Sequence, residues 1–205
     1  MQMRILLVGG FLGSGKTTLI KKLIRGIVAG GSTVAIIENE IGEVGIDDTV
    51  LGEADVSITP LFGGCVCCQI SGDLVVAAKK IEEEANPGWL IVELTGVAFM
   101  GGMIEVFENY GQRTDIRALG VVDASRWEIM KRAMGDLFKY QLESANMVLL
   151  NKADIKAPDD ATVQEIRDIS GISNIEAVCA RDMTELELWQ LVQHGIGDEQ
   201  KGASV

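Results

Sequence analysis

The sequence predicts a doubly wound α/β domain, in which a mostly parallel sheet carries helices on both faces. Three observations predict this fold. Apolar runs of strand length alternate with longer amphipathic stretches, the runs are continuous rather than mixed with polar residues, and a glycine-rich turn joins the first run to the first helix pattern. Continuous runs such as ILLV and VAII indicate strands that are covered on both faces. Consecutive strands of this kind form right-handed βαβ units, and their ligands bind at the carboxyl ends of the strands.

The individual elements follow from the same patterns. Short apolar runs predict strands, in chain order, at residues 4–8, 33–37, 56–60, 89–93, 118–123, 147–150 and 175–179. Apolar residues that recur three and four positions apart predict helices between them, at residues 16–29, 73–85, 102–110, 126–142, 159–169 and 185–194. We expect these elements to form one domain at residues 1–195, followed by a short disordered tail at residues 196–205.

Composition narrows the class of protein. The chain has 205 residues, of which 47% are hydrophobic and 23% charged, and this is enough to bury the core of a single domain. Its 18 basic and 30 acidic side chains give a formal net charge of −12. Because nucleic acids and anionic membranes attract cationic groups, we expect neither as a partner. No apolar stretch of about 20 residues predicts a membrane span, and no cleavage site follows the apolar start, so the expected location is the cytoplasm.

Residues 10–17, GFLGSGKT, form a phosphate loop that matches the G-x-x-x-x-G-K-[ST] pattern between a strand and a helix. Its glycines let backbone N–H groups point at phosphate oxygens, and the following helix adds the positive end of its dipole. Lys16 is the candidate catalytic cation for the β- and γ-phosphates, and the Thr17 hydroxyl is a candidate Mg²⁺ ligand. The predicted nucleotide-binding residues here are Gly10, Gly13, Ser14, Gly15, Lys16, Thr17 and Thr18. The alternative is a glycine-rich turn that matches the pattern by accident.

Residues 151–154, NKAD, form a base loop directly after the apolar run MVLL. The Asp154 carboxylate can accept hydrogen bonds from N1–H and the exocyclic amine of guanine, whereas adenine would leave it unpaired. Asn151 and Lys152 complete the pattern, and the Lys152 stem can lie along the purine face. After the last predicted strand, the backbone N–H of Ala180 is a candidate donor to the base oxygen. An ordinary polar turn is the alternative reading of these four residues.

Residues 63–68, GGCVCC, form a cysteine loop with three thiols in four positions. A disulfide within so short a segment would be strained, whereas two or three of these sulfurs would hold Zn²⁺ or another thiolate-preferring ion well. Two alternatives stay open, namely a thiol-redox switch and buried cysteines that act as small hydrophobic residues. Cys179, the remaining cysteine, stands alone at a strand end and is interpreted as structural.

Acidic residues follow two further strands of the predicted sheet. The segment 38–48 holds five carboxylates and two glycines after the second strand, and it is interpreted as a sensor of the γ-phosphate that also supplies oxygen ligands. Glu93 closes another strand and would bind Mg²⁺ through water, and Gly96 would let the backbone approach the γ-phosphate. The pair Gly101 and Gly102 suits a loop that moves with nucleotide state. A solvated connection is the alternative for the acidic segment.

The ordered set GFLGSGKTT, IENEIGEVGID, GGCVCC…GDL, VELTG, VVDA and NKAD resembles the CobW/HypB/UreG group of P-loop GTPases, which assist metal-centre assembly. The match runs from about Arg4 to Asp154 and looks closest to the CobW-like branch with its C-x-C-C loop. The resemblance implies a Mg²⁺-dependent GTPase that couples nucleotide state to delivery of a transition metal, and that forms nucleotide-linked dimers. The metal contacts that it implies here are Cys65, Cys67, Cys68, Glu38 and Glu43.

Three features depart from the family pattern. CobW-like proteins commonly continue into a second domain, whereas this chain ends soon after CARDMTELELW, as in the single-domain HypB and UreG type. Leu94 replaces the small polar residue that is usual after the glutamate, and Phe99-Met100 replaces the acidic-Pro step that follows. His194 is the single histidine of the chain, so there is no His-rich metal store, and we expect it on the surface near the end of the last helix.

The leading hypothesis is a slowly GTP-hydrolysing metallochaperone or metal-cofactor maturation factor. Its cofactors would be GTP or GDP, Mg²⁺ and a transition metal, with Zn²⁺ ahead of Co²⁺ and Ni²⁺. Its partners would be a client metalloenzyme and a second copy of the chain, and Glu40 is the candidate that orients the attacking water. A P-loop kinase that clamps its substrate with Arg113, Arg117, Arg126 and Arg132 is one alternative. A non-enzymatic thiol sensor of metal or redox state is the other.

Overall fold

The computed structural model describes residues 3–38, 56–60, 70–96, 98–109 and 115–197, with the backbone alone at 56–60. Its strands form one sheet in the order β3-β2-β4-β1-β5-β6-β7, and every neighbouring pair is parallel. The strands are β1 (Arg4–Gly9), β2 (Val34–Glu38), β3 (Val56–Pro60), β4 (Trp89–Glu93), β5 (Ile116–Asp123), β6 (Met147–Asn151) and β7 (Ile175–Ala177). The predicted α/β class with a parallel sheet is confirmed.

Helices cover both faces of this sheet, as expected for continuous apolar strands. They are α1 (Lys16–Ala29), α2 (Ile70–Glu84), α3 (Met100–Asn109), α4 (Trp127–Met134), α5 (Leu137–Leu142), α6 (Asp160–Ser170) and α7 (Glu185–Gly195). Alternate side chains of β1 enter two separate cores: Ile5 and Leu7 pack with residues of α2 to α6, while Leu6 and Val8 pack with residues of α1 and α7. The β1 side chains are buried in both cores, so the strand that leads into the phosphate loop is firmly packed on each face of the sheet.

Two helix predictions need correction. The stretch 126–142 was predicted as one helix, but it forms a 3₁₀ turn at Ala124–Arg126 followed by α4 and α5. The break lies at Gly135, whose φ of +50° ends α4 and which a periodicity argument does not detect. Gly101 and Gly102 lie inside the first turn of α3 rather than in a loop. The predicted loop that moves with nucleotide state is therefore wrong at these two glycines.

Helices α1 and α7 approach each other unusually closely at Gly26. A Cβ atom added there would collide with the Glu185 carbonyl oxygen and lie 2.6 Å from Trp189 Cβ. The Trp189 ring in turn meets the Trp89 ring edge-on, with centroids 5.2 Å apart. Helix α7 ends at Gly195, and Ile196 directly after it is buried in the same core. The predicted boundary of the domain at residue 195 stays a prediction, since residues 198–205 lie outside the described part of the chain.

In the described ranges, no helix is both long and apolar enough to cross a membrane.

The register of the central strands determines which residues lie side by side at the carboxyl edge of the sheet. Val8 of β1 lies opposite Glu93 of β4, and Asp123 of β5 lies opposite Asn151 of β6. The phosphate loop, the base loop and two buried carboxylates therefore leave the sheet side by side.

Candidate functional site

The phosphate loop connects β1 to α1 at the carboxyl edge, and its glycines have backbone conformations that other residues rarely adopt. Gly10, Gly13 and Gly15 all have positive φ, of +146°, +80° and +95°. Gly15 is the left-handed residue from which α1 starts. A Cβ atom at this position would collide with the Asn151 side-chain amide, so the loop can close onto the base loop only with glycine here. The predicted glycine pattern therefore has a steric cause in the packing of the two loops.

Lys16 and Ser14 are buried in this loop, although both belong to polar residue types. Lys16 is 7% exposed, and its Nζ donates to the Phe11 carbonyl oxygen at 3.4 Å. Ser14 is 2% exposed, and its hydroxyl oxygen has no hydrogen-bond partner among the described residues. A buried polar atom without a partner is unusual and often marks the place of a ligand or water. Together these groups give the loop an ammonium and a hydroxyl that are held within it.

Thr17 and Glu93 are brought together as the sequence predicts. The Thr17 hydroxyl lies 3.5 Å from Glu93 Oε1, and it donates to this carboxylate. Glu93 is only 4% exposed at the end of β4. An alcohol and a buried carboxylate are hard oxygen donors of the kind that Mg²⁺ prefers. This donor set fits the predicted Mg²⁺ site, in which Glu93 acts through water.

The segment after β4 passes directly over the phosphate loop. A Cβ atom on Gly96 would lie 3.3 Å from the Leu12 backbone nitrogen, so glycine allows the two backbones to come close. The Leu12 side chain is 75% exposed at the tip of the loop. Gly96 thus lies where the sequence predicts, at the phosphate loop, and its contact with a γ-phosphate stays a prediction. Leu94, the departure from the family pattern, is 1% exposed and belongs to the core.

Asn151 connects the base loop by hydrogen bonds to the phosphate loop and to the segment after β7. Its Nδ2 donates to the Ser14 carbonyl oxygen at 3.0 Å, and its Oδ1 accepts from the Ala180 backbone N–H at 3.0 Å. The Ala153 N–H donates to the Val178 carbonyl oxygen at 3.1 Å, which adds a second link to the segment after β7. Since the Ala180 N–H is engaged by Asn151, its predicted bond to a base oxygen stays a prediction. In this structure, Asn151 holds the pocket together.

Lys152 joins the base loop to the phosphate loop. Its φ of +63° lies in the left-handed region, and its ammonium bonds to the Gly13 carbonyl oxygen and to Asp123 Oδ2, the latter at 2.8 Å. Burial acts to raise the pKa of Asp123, but hydrogen bonds from Lys152 and Ser125 hold that pKa below its usual value. Asp123 therefore stays ionised opposite Lys152. Asp123 belongs to the motif VVDA, and the sequence alone predicts no role for it.

Asp154 lies in a charged cluster that the sequence analysis missed. Arg181 Nη2 contacts Asp154 Oδ2 at 3.1 Å, and Arg181 Nε contacts Asp182 Oδ1 at 3.3 Å. The Cys179 thiol donates to Asp182 Oδ2 at 3.1 Å. The Asp182 hydrogen bond, burial and the nearby Asp154 together raise the pKa of the thiol. We call Asp154, Cys179, Arg181 and Asp182 the Arg181 cluster. Its only trace in the sequence is C-x-R-D after the last strand, a pattern with no established meaning.

Several predicted site residues lie outside the described part of the chain. These residues are Glu40, Glu43, Cys65, Cys67 and Cys68. Glu38 is described and closes β2, where its Cα pairs with Pro60 at the end of β3. Helix α2 begins at Ile70, directly after the cysteine loop. The roles of all these residues as metal ligands, and of Glu40 in orienting water, stay predictions.

Comparisons with known proteins agree with this geometry. A family model for the CobW/HypB/UreG nucleotide-binding domain matches residues 4–179. The chain is 31% identical over 192 residues to the zinc chaperone CobW of Sinorhizobium sp, which covers 78% of this chain and 53% of the relative. The chain spans about half the length of the curated relatives it matches.

Two solved structures share the fold. The hydrogenase maturation factor HypB from Archaeoglobus fulgidus has a TM-score of 0.65 at 16% identity, covering 95% of this chain and 90% of that one. The Zn(II)-bound YjiA GTPase from Escherichia coli has a TM-score of 0.59 at 22% identity, covering 90% of this chain and 59% of that one. At these identities the two structures support the α/β fold.

Proposed function

Because the chain belongs to the CobW/HypB/UreG family of nucleotide-binding domains, we propose that it binds GTP, hydrolyses it slowly and delivers a transition metal to a client protein. One observation carries the nucleotide part of this proposal. Asn151 and Lys152 of the base loop bond to the carbonyl oxygens of Ser14 and Gly13 in the phosphate loop. A base-reading carboxylate two residues further on is thereby held at a fixed distance from the phosphate-binding amides, as selection of one nucleotide requires.

The residues of the phosphate loop have separate tasks in hydrolysis. Lys16 would move from the Phe11 carbonyl oxygen to the β- and γ-phosphates and stabilise the charge on the transferring group. Thr17 and Glu93 would hold Mg²⁺, which supplies further charge neutralisation at the phosphates. No residue of the described ranges has an assigned role in orienting the attacking water, so we expect slow turnover in the absence of a partner or metal.

The metal part of the proposal rests on strand order. In the described sheet, β3, β2, β4 and β1 are consecutive neighbours, so the carboxyl end of β3 lies about 14 Å from that of β1 at roughly 4.8 Å per strand. Pro60 ends β3 at this same edge, and Cys65 follows it by five residues in the sequence. Five residues of chain reach about 17 Å when extended, so Cys65 is within reach of the phosphate loop. This proximity supports a thiolate site whose metal affinity depends on nucleotide state.

The relatives favour zinc as the cargo. The curated relatives carry the names zinc chaperone CobW and zinc chaperone YjiA, and a solved structure of YjiA holds Zn(II). Cobalt and nickel suit the same sulfur and oxygen ligands, so metal analysis of the purified chain must decide among them. A net charge of −12 favours a client with a basic docking surface. Dimers that depend on nucleotide or metal, and a cytoplasmic location, complete the proposal.

Two assays test this function. Phosphate release with GTP and with ATP should show hydrolysis of GTP and little of ATP. Zinc titrations with GDP and with a non-hydrolysable GTP analogue should give different affinities, and Cys67→Ala should abolish the difference. Cys179→Ser is the matched control, because it removes a thiol outside the cysteine loop and should leave one tight zinc site. Equal zinc affinity with both nucleotides would contradict the coupling, and preferred use of ATP would contradict the base assignment.

The kinase alternative has mixed support in the described residues. Arg126 lies beside the phosphate loop, since its Nη1 would be 3.3 Å from a Cβ atom added to Gly13. Arg117, one of its proposed phosphate clamps, lies near the amino end of β5 and pairs with Asp115 at 3.5 Å. The phosphate loop lies at the opposite edge of the sheet, beyond the carboxyl ends of the strands. A substrate phosphate next to the nucleotide would therefore be out of reach of this arginine.

A further inference from the structure

We propose that Arg181 is a positioning residue for base recognition, which holds the Asp154 carboxylate so that both of its oxygens face the guanine edge. The inference rests on the proposed function and deepens it, because it names the group that makes the base loop prefer a purine with an amine at carbon 2. Neither the phosphate-loop pattern nor the base-loop pattern includes this position. The assignment follows from the contacts of one side chain.

Arg181 is itself held from two sides. Its Nη2 lies 3.1 Å from Asp154 Oδ2, and its Nε lies 3.3 Å from Asp182 Oδ1. Asp182 uses its second oxygen to accept the Cys179 thiol at 3.1 Å. Asp182 therefore orients the guanidinium through Nε, and an N–H group on Nη2 donates to Asp154, the carboxylate that is available to the base.

Asp154 needs this support because the backbone of its own loop fixes only part of its geometry. The Ala153 N–H bonds to the Val178 carbonyl oxygen, and this bond sets the position of the loop. The Asp154 side chain is still free to rotate about its own bonds, and its carboxylate is 29% exposed. Recognition of guanine needs both oxygens at once, one for N1–H and one for the amine. The bond from Arg181 to Oδ2 limits this rotation, while Oδ1 and the remaining lone pair of Oδ2 can still accept from the base.

The same cluster has the donor atoms of a metal site, but its chemistry favours the arginine. Oxygen or sulfur atoms of Asp154, Cys179 and Asp182 all lie within 4.8 Å of one another. However, the Arg181 guanidinium already pairs with both carboxylates, so a metal ion would have to displace it. The thiol is also a hydrogen-bond donor to Asp182 in this arrangement, whereas a metal ligand would be the thiolate. The cluster therefore already holds a cation, the Arg181 guanidinium, between its two carboxylates.

The test compares two nucleotides that differ only at carbon 2. GDP carries the exocyclic amine and IDP lacks it, so the ratio of their dissociation constants measures the second hydrogen bond to Asp154. In the full chain, Arg181→Gln should lower the GDP preference over IDP by about twofold to fivefold, as expected when one exposed ion pair is removed. Arg181→Lys should restore part of the preference. Arg167→Gln, which removes a surface arginine that bonds to Gln164 on α6, is the matched control and should leave the ratio unchanged.

Each other outcome overturns the inference. An equal loss of affinity for GDP and IDP in Arg181→Gln would show that Arg181 acts without regard to the amine, as a general contact or a stabiliser of the fold would. If the ratio of the GDP and IDP dissociation constants in Arg181→Gln equals that of the parent, the role of Arg181 is contradicted and the proposed function is unaffected. If the parent chain does not bind GDP, the proposed function fails and the role of Arg181 fails with it.

Discussion

The Lys152 ammonium lies 2.8 Å from Asp123 Oδ2 and at the same time bonds to the Gly13 carbonyl oxygen. These residues leave the sheet from β6, β5 and β1, and a single charged group connects them. Asp123 is 7% exposed, so its charge would be costly without this partner. The pair keeps Lys152 in its left-handed backbone conformation and aligns the base loop with the phosphate loop. The first two predictions concern this pair.

Asp123→Asn should weaken nucleotide binding although Asp123 itself is not placed against the nucleotide. Without the carboxylate, Lys152 loses its charged partner, and the distance between base loop and phosphate loop is less well fixed. We expect GDP affinity to fall by roughly threefold to tenfold, measured by calorimetric titration. Asp115→Asn is the control, since it removes the partner of Arg117 at the other end of β5. If both variants bind GDP like the parent, the pair does not align the loops.

The same pair makes stability depend on pH in the acid range. In the folded chain the pKa of Asp123 lies below its ordinary value of 3.8, because the bonds from Lys152 and Ser125 outweigh the effect of burial. A lowered folded-state pKa stabilises the fold above the ordinary carboxyl pKa, and this contribution is lost as the pH falls through the folded pKa. Urea unfolding of the parent and Asp123→Asn should therefore differ most near neutral pH. The difference in free energy of unfolding should shrink below about pH 4, and a difference that stays constant would contradict the assignment.

Gly26→Ala should destabilise the fold through the contact between α1 and α7. The added Cβ would meet the backbone of Glu185, which cannot move aside as a flexible side chain would. We expect a loss of about 1–3 kcal/mol in the free energy of unfolding, measured with urea, as is typical of overpacking. Gly72→Ala on α2 is the control, because no atom of the described residues lies within 4 Å of its Cβ position and alanine favours helices. Equal effects of the two changes would rule out close packing at Gly26.

Asp154→Asn should change the base preference from guanine to xanthine. The asparagine oxygen can still accept from N1–H, but its amide nitrogen would face the guanine amine as a second donor. In xanthine, the carbon 2 oxygen accepts from that same amide nitrogen. We expect the affinity for GDP to fall by about tenfold or more and the affinity for XDP to rise, measured by competition against a fluorescent nucleotide. A parallel loss for both nucleotides would remove Asp154 from base recognition.

The sequence predicted the elements correctly where neighbouring residues alone determine the structure. Strands β3 and β4 and helix α1 have the predicted bounds, because each begins and ends where an apolar pattern begins and ends. The meeting of Thr17 with Glu93 was also predictable, since carboxyl ends of parallel strands share an edge. The hydrophobic pattern does not predict that β4 lies beside β1. Once these two strands are neighbours, however, the contact between Thr17 and Glu93 follows whatever the order of the other strands.

The rest depends on contacts between distant residues. The break at Gly135 depends on one backbone angle, which the continuous amphipathic pattern of residues 126–142 conceals. Arg181 and Asp182 follow a short edge strand, and their pairing with Asp154 arises only when β7 lies beside β6. No periodicity or motif in the sequence indicates that two residues so far apart along the chain form an ion pair. Their importance becomes visible only in the folded chain.

The ammonium bridge between Gly13, Asp123 and Lys152 also constrains when the pocket can exist during synthesis of the protein. A nascent chain that has left the ribosome up to α5 carries the whole phosphate loop but neither the lysine that closes it nor the asparagine that braces it. Ala180 and the α7 segment that packs on α1 arrive later still. High-affinity capture of nucleotide must therefore await synthesis of the residues up to α7, so that a ligand added to stalled chains of increasing length would register the closing of this domain.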